Sequence, residues 1–341
     1  MSVVYVKEQG AYVSKSGERI LVMKDRQRLL EMPVFQLENL ALLGNVQITT
    51  QALHMLMKEG VDVSFLSRGG QFLGRAGAES SKNIFLRFEQ YSLYQDQERS
   101  LALARQVTDN KICNQINMIR SYRWSGTEYD WRADVKRMEE YRVTMPERKT
   151  TNEILGVEGI CSNVYFRAFG KMLKGDFSFS GRNRRPPKDP VNVLISLTYT
   201  FLTRELDSML DAESFEPYLG FLHGVRYGRK SLALDLVEEF RQPVADRFVL
   251  MLLNKRMISE GDFEFPEEGV LLNDGGFRKF CTEYERWMTG RNSNAGSNSF
   301  RKKMQEQVAA LKKAIMKKEP YVPYRWEREE EDEGTVLSGE L

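Results

Sequence analysis

Over the first 80 residues the apolar positions come in short runs, predicting strands at 3–6, 12–13, 19–23, 40–43, 61–66 and 72–73. Turn signals such as Ser16-Gly17 and Gly69-Gly70 separate them. One helix interrupts the strands: Thr49 or Thr50 can cap a run that puts Ala52, Leu53, Leu56 and Met57 on one face, and Gly60 ends it. From Ile84 onward the period changes. Apolar residues recur three and four apart over 85–124 and 191–210, and β-branched alternation becomes scarce. The small, polar stretch 75–83 (RAGAESSKN) reads as a linker. The pattern predicts an α+β chain, with an N-terminal β domain over 1–80 carrying one helix and a larger, mostly α-helical domain over 84–320. Two further loops stand out, 174–190 and 292–299, the second (NSNAGSNS) a mobile connector by composition.

Composition changes this picture little. Of 341 residues, 41% are hydrophobic and 29% charged, a balance that supports an ordered core. Three widely spaced cysteines, Cys113, Cys161 and Cys281, provide neither a disulfide framework nor a zinc module, and fit a reducing compartment. The N-terminus meets charge and glycine too early for a secretory leader, and no window of about 18 apolar residues exists. A cytoplasmic protein with no membrane association is expected.

Charge is more informative. The net value of +2 hides a C-terminal stretch, 321–341, with seven acids and two bases. The body before it holds 48 bases against 41 acids, a net +7 that permits a polyanionic partner. The tail itself reads as acidic, solvated and disordered, or as a mimic of nucleic acid competing for the basic surface.

Candidate chemistry begins with the two histidines. His54, in the small helix, has no acidic cluster at ligand spacing and reads as structural or exposed. His223 precedes a glycine-flanked basic turn and an acidic helix, capped by Ser231 and bounded by Pro243 over about three turns. On that helix Asp235 and Glu238, three apart, project together. If buried, two such carboxylates need a cation or a shared proton. Oxygen donors with one imidazole favour Mg²⁺ or Mn²⁺. The competing reading makes Asp235, Glu238 and Glu239 a solvated face near Arg241.

A third carboxylate, Glu158, lies between glycines in the apolar stretch 154–162, where a helix can begin. It reads equally as a first-turn acid and as a metal ligand from a second helix. Cys161 reads as a packed residue. Two basic clusters complete the set: Arg182, Arg184, Arg185 and Lys188 on a loop stiffened by Pro186, Pro187 and Pro190, and Arg226, Arg229 and Lys230 beside His223. Each alone can be a soluble surface loop. Beside an acidic metal constellation they suit phosphate recognition, and the ensemble describes a phosphodiester site.

These residues resemble a known family, the CRISPR-associated adaptation integrase, Cas protein one. The resemblance is carried by Leu155-Gly156-Val157-Glu158-Gly159 with Tyr165-Phe166, by Arg184-Arg185-Pro186-Pro187 with Asp189-Pro190 and Asn192, by Gly220-Phe221-Leu222-His223-Gly224, and by the run 231–241. The stretch 44–53 also looks like the family's N-terminal domain, and the version is similar to subtype I-C members. The resemblance implies a dimerising β domain and a helical catalytic domain, with Glu158, His223 and Glu238 as divalent-metal ligands and Asp235 as an additional acid beside them. It also implies a homodimer that works on double-stranded DNA with Cas protein two, and in several systems with Cas protein four. Together they join prespacer 3′-hydroxyl ends to the repeat of an array, with associated endonuclease activity. One departure stands out: Cys161, Ser162 and Asn163 occupy positions where many relatives carry Ala-Ala-Arg, which puts that arginine's phosphate contact in doubt. A structure-selective nuclease and a noncatalytic DNA-bridging scaffold are the rival functions.

Overall fold

Period-two alternation builds the N-terminal strands. In β3 (Arg19–Lys24) Ile20 and Val22 are buried while Arg19 faces solvent. The computed structural model describes residues 2–68, 70, 72–77, 83–122, 124, 129–175, 177–183, 186–290 and 299–327. It divides into two compact units, Met1–Ser80 and Ser81–Leu341. Most of the expected linker, 78–82, and nearly all of 292–299 lie outside the described residues.

The first unit contains β1 (Ser2–Val6), β2 (Tyr12–Ser16), β3, β4 (Gln27–Pro33), β5 (Leu37–Leu43), β6 (Gln47–Ile48), α1 (Thr50–Lys58), β7 (Asp62–Leu66) and β8 (Phe72–Ala76). They form two four-stranded sheets, in the orders β1-β5-β7-β8 and β4-β3-β2-β6. Val6, Val13, Ile20, Leu40, Leu42, Leu56 and Val63 share one core. Thr49 caps α1 by accepting from the Ala52 N–H, 3.3 Å away. Strand β4 escapes the sequence pattern because its residues are exposed on an edge, with no buried face to impose alternation.

The second unit is mostly helical: α2 (Ile84–Gln95), α3 (Gln97–Ser121), α4 (Trp131–Arg142), α5 (Thr151–Met172), α6 (Pro190–Ala212), α7 (Ser231–Val237), α8 (Arg247–Asn254), α9 (Asp274–Thr289) and α10 (Phe300–Lys317), with a short hairpin of β9 (Phe263–Glu264) and β10 (Leu271–Leu272). Asp96 ends α2 and caps α3, accepting from the Arg99 N–H at 3.1 Å. The long α3 packs against α2, α4 and α5, so its second half is buried on several sides, polar residues included.

Three local expectations are corrected. Helix α5 starts at Thr151, capped by Thr150, so Glu158 lies well inside it and is no first-turn acid. Ser231 does not cap α7; it is the first helical residue, and its hydroxyl is 3.1 Å from the Gly224 carbonyl. Nor does Pro243 bound the helical path. A π-helical turn, Arg241–Asp246, carries the chain across it into α8, and the Phe240 carbonyl accepts from the Val244 and Ala245 N–H groups at 3.0 and 3.3 Å. The widened turn places the missing proline N–H where no partner is required.

The C-terminal expectation also changes. Tyr321 and Trp326 are buried, so a solvated tail does not begin at 321. Asn114 binds the Tyr324 carbonyl at 3.1 Å and accepts from the Trp326 N–H at 2.9 Å, and Asn110 and Asn117 bind the Tyr324 and Trp326 carbonyls at 2.7 Å each. Extended backbone without a sheet partner is satisfied here by side chains of α3. Residues 328–341 lie outside the described residues.

Candidate active site

Two carboxylates from separate helices meet at one cation. Glu158 of α5 and Glu238, the residue closing α7, both pair with the ammonium of Lys111 on α3, which lies 2.5 Å from Glu238 Oε2. Arg241 Nη2 lies 3.0 Å from Glu238 Oε1. Ser162 Oγ donates to Glu158 Oε1 at 2.7 Å and accepts from Gln115 Nε2 at 3.1 Å. Glu238 is 2% exposed and Lys111 6%, whereas Glu158 is half-buried, so the cluster lies at the edge of the interior.

Its electrostatics follow from that burial. Desolvation raises the Glu238 carboxyl, but Arg241, Lys111 and His223 outweigh it and hold it at about 2. Burial likewise works against ionised Glu158, and Lys111 again wins, leaving its pKa below the usual value. Both groups are anionic at neutral pH. One atom remains poorly served: Glu238 Oε2 makes no hydrogen bond, because the nearby ammonium is not aligned for one.

His223 is set by a different carboxylate. Asp235 Oδ2 accepts the Phe221 and Leu222 N–H groups at 2.5 and 3.0 Å, and Oδ1 accepts the His223 N–H and faces His223 Nδ1, both at 2.8 Å. The close approach requires Gly220, where a Cβ would meet Ser231 at 2.7 Å and Asp235 Oδ2 at 2.8 Å. An acceptor at Nδ1 fixes the proton there and leaves the Nε2 lone pair for a ligand. Asp235 and Glu238 therefore divide their work, one shaping the histidine loop and the other facing Lys111 and Arg241.

Behind this layer lie two acids of another kind. Burial pushes Asp246 up to about 6 and Glu239 up to about 7. Asp246 accepts from the Tyr165 and Tyr199 hydroxyls, each at 2.8 Å. Glu239 accepts from the Tyr321 hydroxyl and the Tyr324 N–H, each at 2.7 Å. The solvated acidic face considered for 235–239 is thus absent: Asp235, Glu238 and Glu239 are all buried.

The expected cage of Glu158, His223 and Glu238 around one ion is not formed. Among the described residues no group of three His, Cys, Asp or Glu side chains is close enough to hold a metal ion. Glu158 and Glu238 share Lys111, whereas His223 turns its Nδ1 to Asp235 and reaches Glu238 electrostatically. The donor types nonetheless suit a hard divalent ion: two carboxylates already face a cation, and one buried carboxylate oxygen, Glu238 Oε2, has no hydrogen bond.

The basic residues separate into distinct roles. Arg184 and Arg185 lie outside the described residues. Arg226 is exposed at the turn, whereas Arg229 binds the Gly224 carbonyl and Lys230 pairs with Asp207 at 2.5 Å, so both brace the loop. Arg182 binds Asn192 and stands over the Phe166 and Tyr199 rings. Cys161 is packed, and burial pushes its thiol up to about 12. His54 is exposed.

Beside the carboxylates opens a cavity of about 650 Å³ lined by Lys111, Glu158, Arg167, Lys171, Arg182 and Arg241, a strongly basic wall. Lys111 was not among the residues singled out from the sequence. Its signal is there: Lys111, Asn114 and Gln115 interrupt the apolar positions of α3, and a lysine on a core-facing stripe needs an anionic partner.

Comparisons with known proteins bear on this arrangement. The sequence matches the family described as CRISPR associated protein Cas1 over residues 4–286. It is 38% identical over 287 residues to CRISPR-associated endonuclease Cas1 3 of Thermus thermophilus, covering 84% of each chain. It is 37% identical over 295 residues to a CRISPR-associated exonuclease Cas4/endonuclease Cas1 fusion of Geobacter sulfurreducens, covering 84% of this chain and 52% of the fusion. The fold is similar to the structure of a CAS1 protein from Thermotoga maritima, with a TM-score of 0.80 and 25% identity over 96% of this chain and 100% of the other.

Proposed function

The chain belongs to the CRISPR-associated protein Cas1 family, and from that premise we propose that it is a divalent-metal-dependent DNA integrase of CRISPR adaptation. It joins the 3′-hydroxyl ends of a short DNA fragment to the repeat of an array. With water in place of the hydroxyl, the same site acts as an endonuclease. The observation that carries the reading is the convergence of Glu158 and Glu238, from separate helices, on one cation beside a basic cavity.

In this reading Glu158, Glu238 and Nε2 of His223 hold Mg²⁺ or Mn²⁺, which when bound supplies Lewis-acid polarisation of the target phosphate. Asp235 keeps the His223 proton on Nδ1 and aims the ring. Arg241 keeps Glu238 ionised and in place. Arg167, Lys171 and Arg182 give the cavity a positive wall for the DNA backbone. Arg184, Arg185 and Arg226 extend the DNA-binding set, and Arg229 and Lys230, expected in it from the sequence, serve it by bracing the turn that presents Arg226.

The partners proposed are double-stranded DNA, as prespacer and repeat, a second copy of the chain paired through the β unit, and Cas protein two. A Cas protein four partner is supported by the fused relative. Assignment to subtype I-C and a cytoplasmic location belong to the same reading. Among the described residues no helix is long and apolar enough to cross a membrane.

Incubation with the partner subunit, a prespacer and a supercoiled plasmid bearing the repeat tests it. Covalent joining that requires Mg²⁺ or Mn²⁺ is expected. Cutting of branched DNA without joining indicates a general nuclease, and activity indifferent to chelator rejects the metal-dependent reading.

A further inference from the structure

We propose that Lys111 is a built-in cation that competes with the divalent ion for Glu158 and Glu238, so that metal loading is coupled to occupation of the neighbouring cavity by a phosphodiester. The inference rests on the metal reading above and adds to it a residue that sets the affinity.

The charges require some such device. Buried Glu238 and half-buried Glu158 cannot stay ionised side by side without compensation, and Lys111 and Arg241 supply two positive charges against two negative ones. The two cations are not equivalent. Arg241 is fixed by Glu238 and by the Tyr199 ring 4.5 Å beneath its guanidinium. Lys111 carries a point charge on a flexible four-carbon stem. Its ammonium contacts Glu158 Oε1 and Glu238 Oε2, so it occupies carboxylate oxygens that would otherwise be open to a divalent ion. The two cations cannot share them.

The structure also provides somewhere for the ammonium to go. Lys111 lines the cavity of about 650 Å³, so rotation of its side chain carries the charge into that space while α3 stays in place. The backbone is restrained, because the neighbouring Asn110 and Asn114 are both bound to the Tyr324 carbonyl. The cavity wall also carries Lys171 and Arg182, and Arg167, which pairs with Asp134, so a further ammonium there is unfavourable until an anion enters. Metal and phosphodiester should therefore each bind more tightly when the other is present, by reciprocal coupling.

Calorimetric titration of the full chain with Mn²⁺, with and without a short DNA duplex, tests this through binding instead of turnover. Lys111→Met removes the competitor at similar volume and should tighten Mn²⁺ binding roughly tenfold or more, and its Mn²⁺ affinity should no longer rise on adding DNA. Lys111→Arg keeps the charge, grips carboxylates bidentately, and should weaken Mn²⁺ binding roughly tenfold. Equal or weaker binding by folded Lys111→Met overturns the proposal. Should that variant not fold, unchanged or tighter binding by Lys111→Arg overturns it. Glu158→Gln defines the loss of the site. No Mn²⁺ binding by any form, with or without DNA, overturns the metal reading and the proposal together, whereas binding indifferent to residue 111 overturns the proposal alone.

Discussion

Asp235 holds His223 at two points: one carboxylate oxygen, Oδ1, accepts the backbone N–H and faces Nδ1 of the ring, both at 2.8 Å. Because the other oxygen binds the N–H groups of Phe221 and Leu222, a single side chain fixes the approach, orientation and tautomer of the histidine. In the proposed reaction it would act through His223.

Replacing Asp235 by Ala leaves three backbone donors without that acceptor and frees the ring. Each buried donor left unpaired costs about 1–3 kcal/mol. We expect urea denaturation to register a loss of about 3 kcal/mol or more, and joining to fall by about two orders of magnitude. Asp235→Asn should recover part of the stability and little of the activity, since an amide nitrogen cannot accept. Full activity in either variant contradicts the positioning role.

The basic turn should divide by role in a salt titration of DNA binding. Arg226→Ala should lower the slope of log K against log salt by about one, leaving stability unchanged, because its side chain is exposed. Arg229→Ala should instead lower thermal stability, since its guanidinium binds the Gly224 carbonyl. Truncating Arg184 and Arg185 together should reduce the slope further. Identical slopes for all variants remove these residues from the footprint.

The segment 321–326 should act as a strap on the catalytic helices. It lies beyond the residues matched by the family, 4–286, yet Tyr321 and Tyr324 satisfy Glu239, next to Glu238, and Arg247 stands 4.4 Å over the Trp326 ring. Trp326→Ala should cost about 3–5 kcal/mol in chemical denaturation. A change below about 0.5 kcal/mol, the range of ordinary surface substitutions, contradicts the packing.

Buried Asp246 should leave a signature in the pH dependence of stability. Its pKa in the folded protein is raised from 3.8 to about 6, so the native state holds this proton more tightly than the unfolded chain. The contribution is fully present below the unfolded value and is lost as pH rises through about 6. A shift of that size corresponds to about 3 kcal/mol. Tyr165, Tyr199, Arg182 and Arg241 surround the group and oppose the rise, but burial dominates. Comparing wild type with Asp246→Asn cancels the opposite trend of Glu238, which loses stability as pH falls from 4.5 towards 2. The difference in unfolding free energy should fall between pH 4 and 7; a flat difference contradicts the assignment.

Much of this architecture is legible in the residue pattern, because burial imposes it. The alternation of Ile20 and Val22 reports one buried side, and the apolar density of 191–210 reports a helix buried over most of its surface. Strand β4 is not legible, because its edge position leaves it exposed. The start of α5 is obscured by Gly156 and Gly159, which read as punctuation, yet tertiary packing carries the helix through them. At the site, Glu158, His223 and Glu238 are visible as unusual residues in apolar surroundings. Lys111 leaves only an indirect trace, as a lysine on the core-facing stripe of α3, and Asp246 none, since their partners lie far away in the chain and only the fold brings them together.

In the proposed function Glu158 and Glu238 form one cation-dependent centre for strand joining. Gel analysis of plasmid joining by Glu158→Ala and Glu238→Ala, with Mn²⁺ and the partner subunit, beside duplex binding by the same variants, tests it most directly. Joining should fall by at least about three orders of magnitude in both variants, with duplex affinity within about threefold of wild type. Joining at the wild-type rate by either folded variant contradicts it.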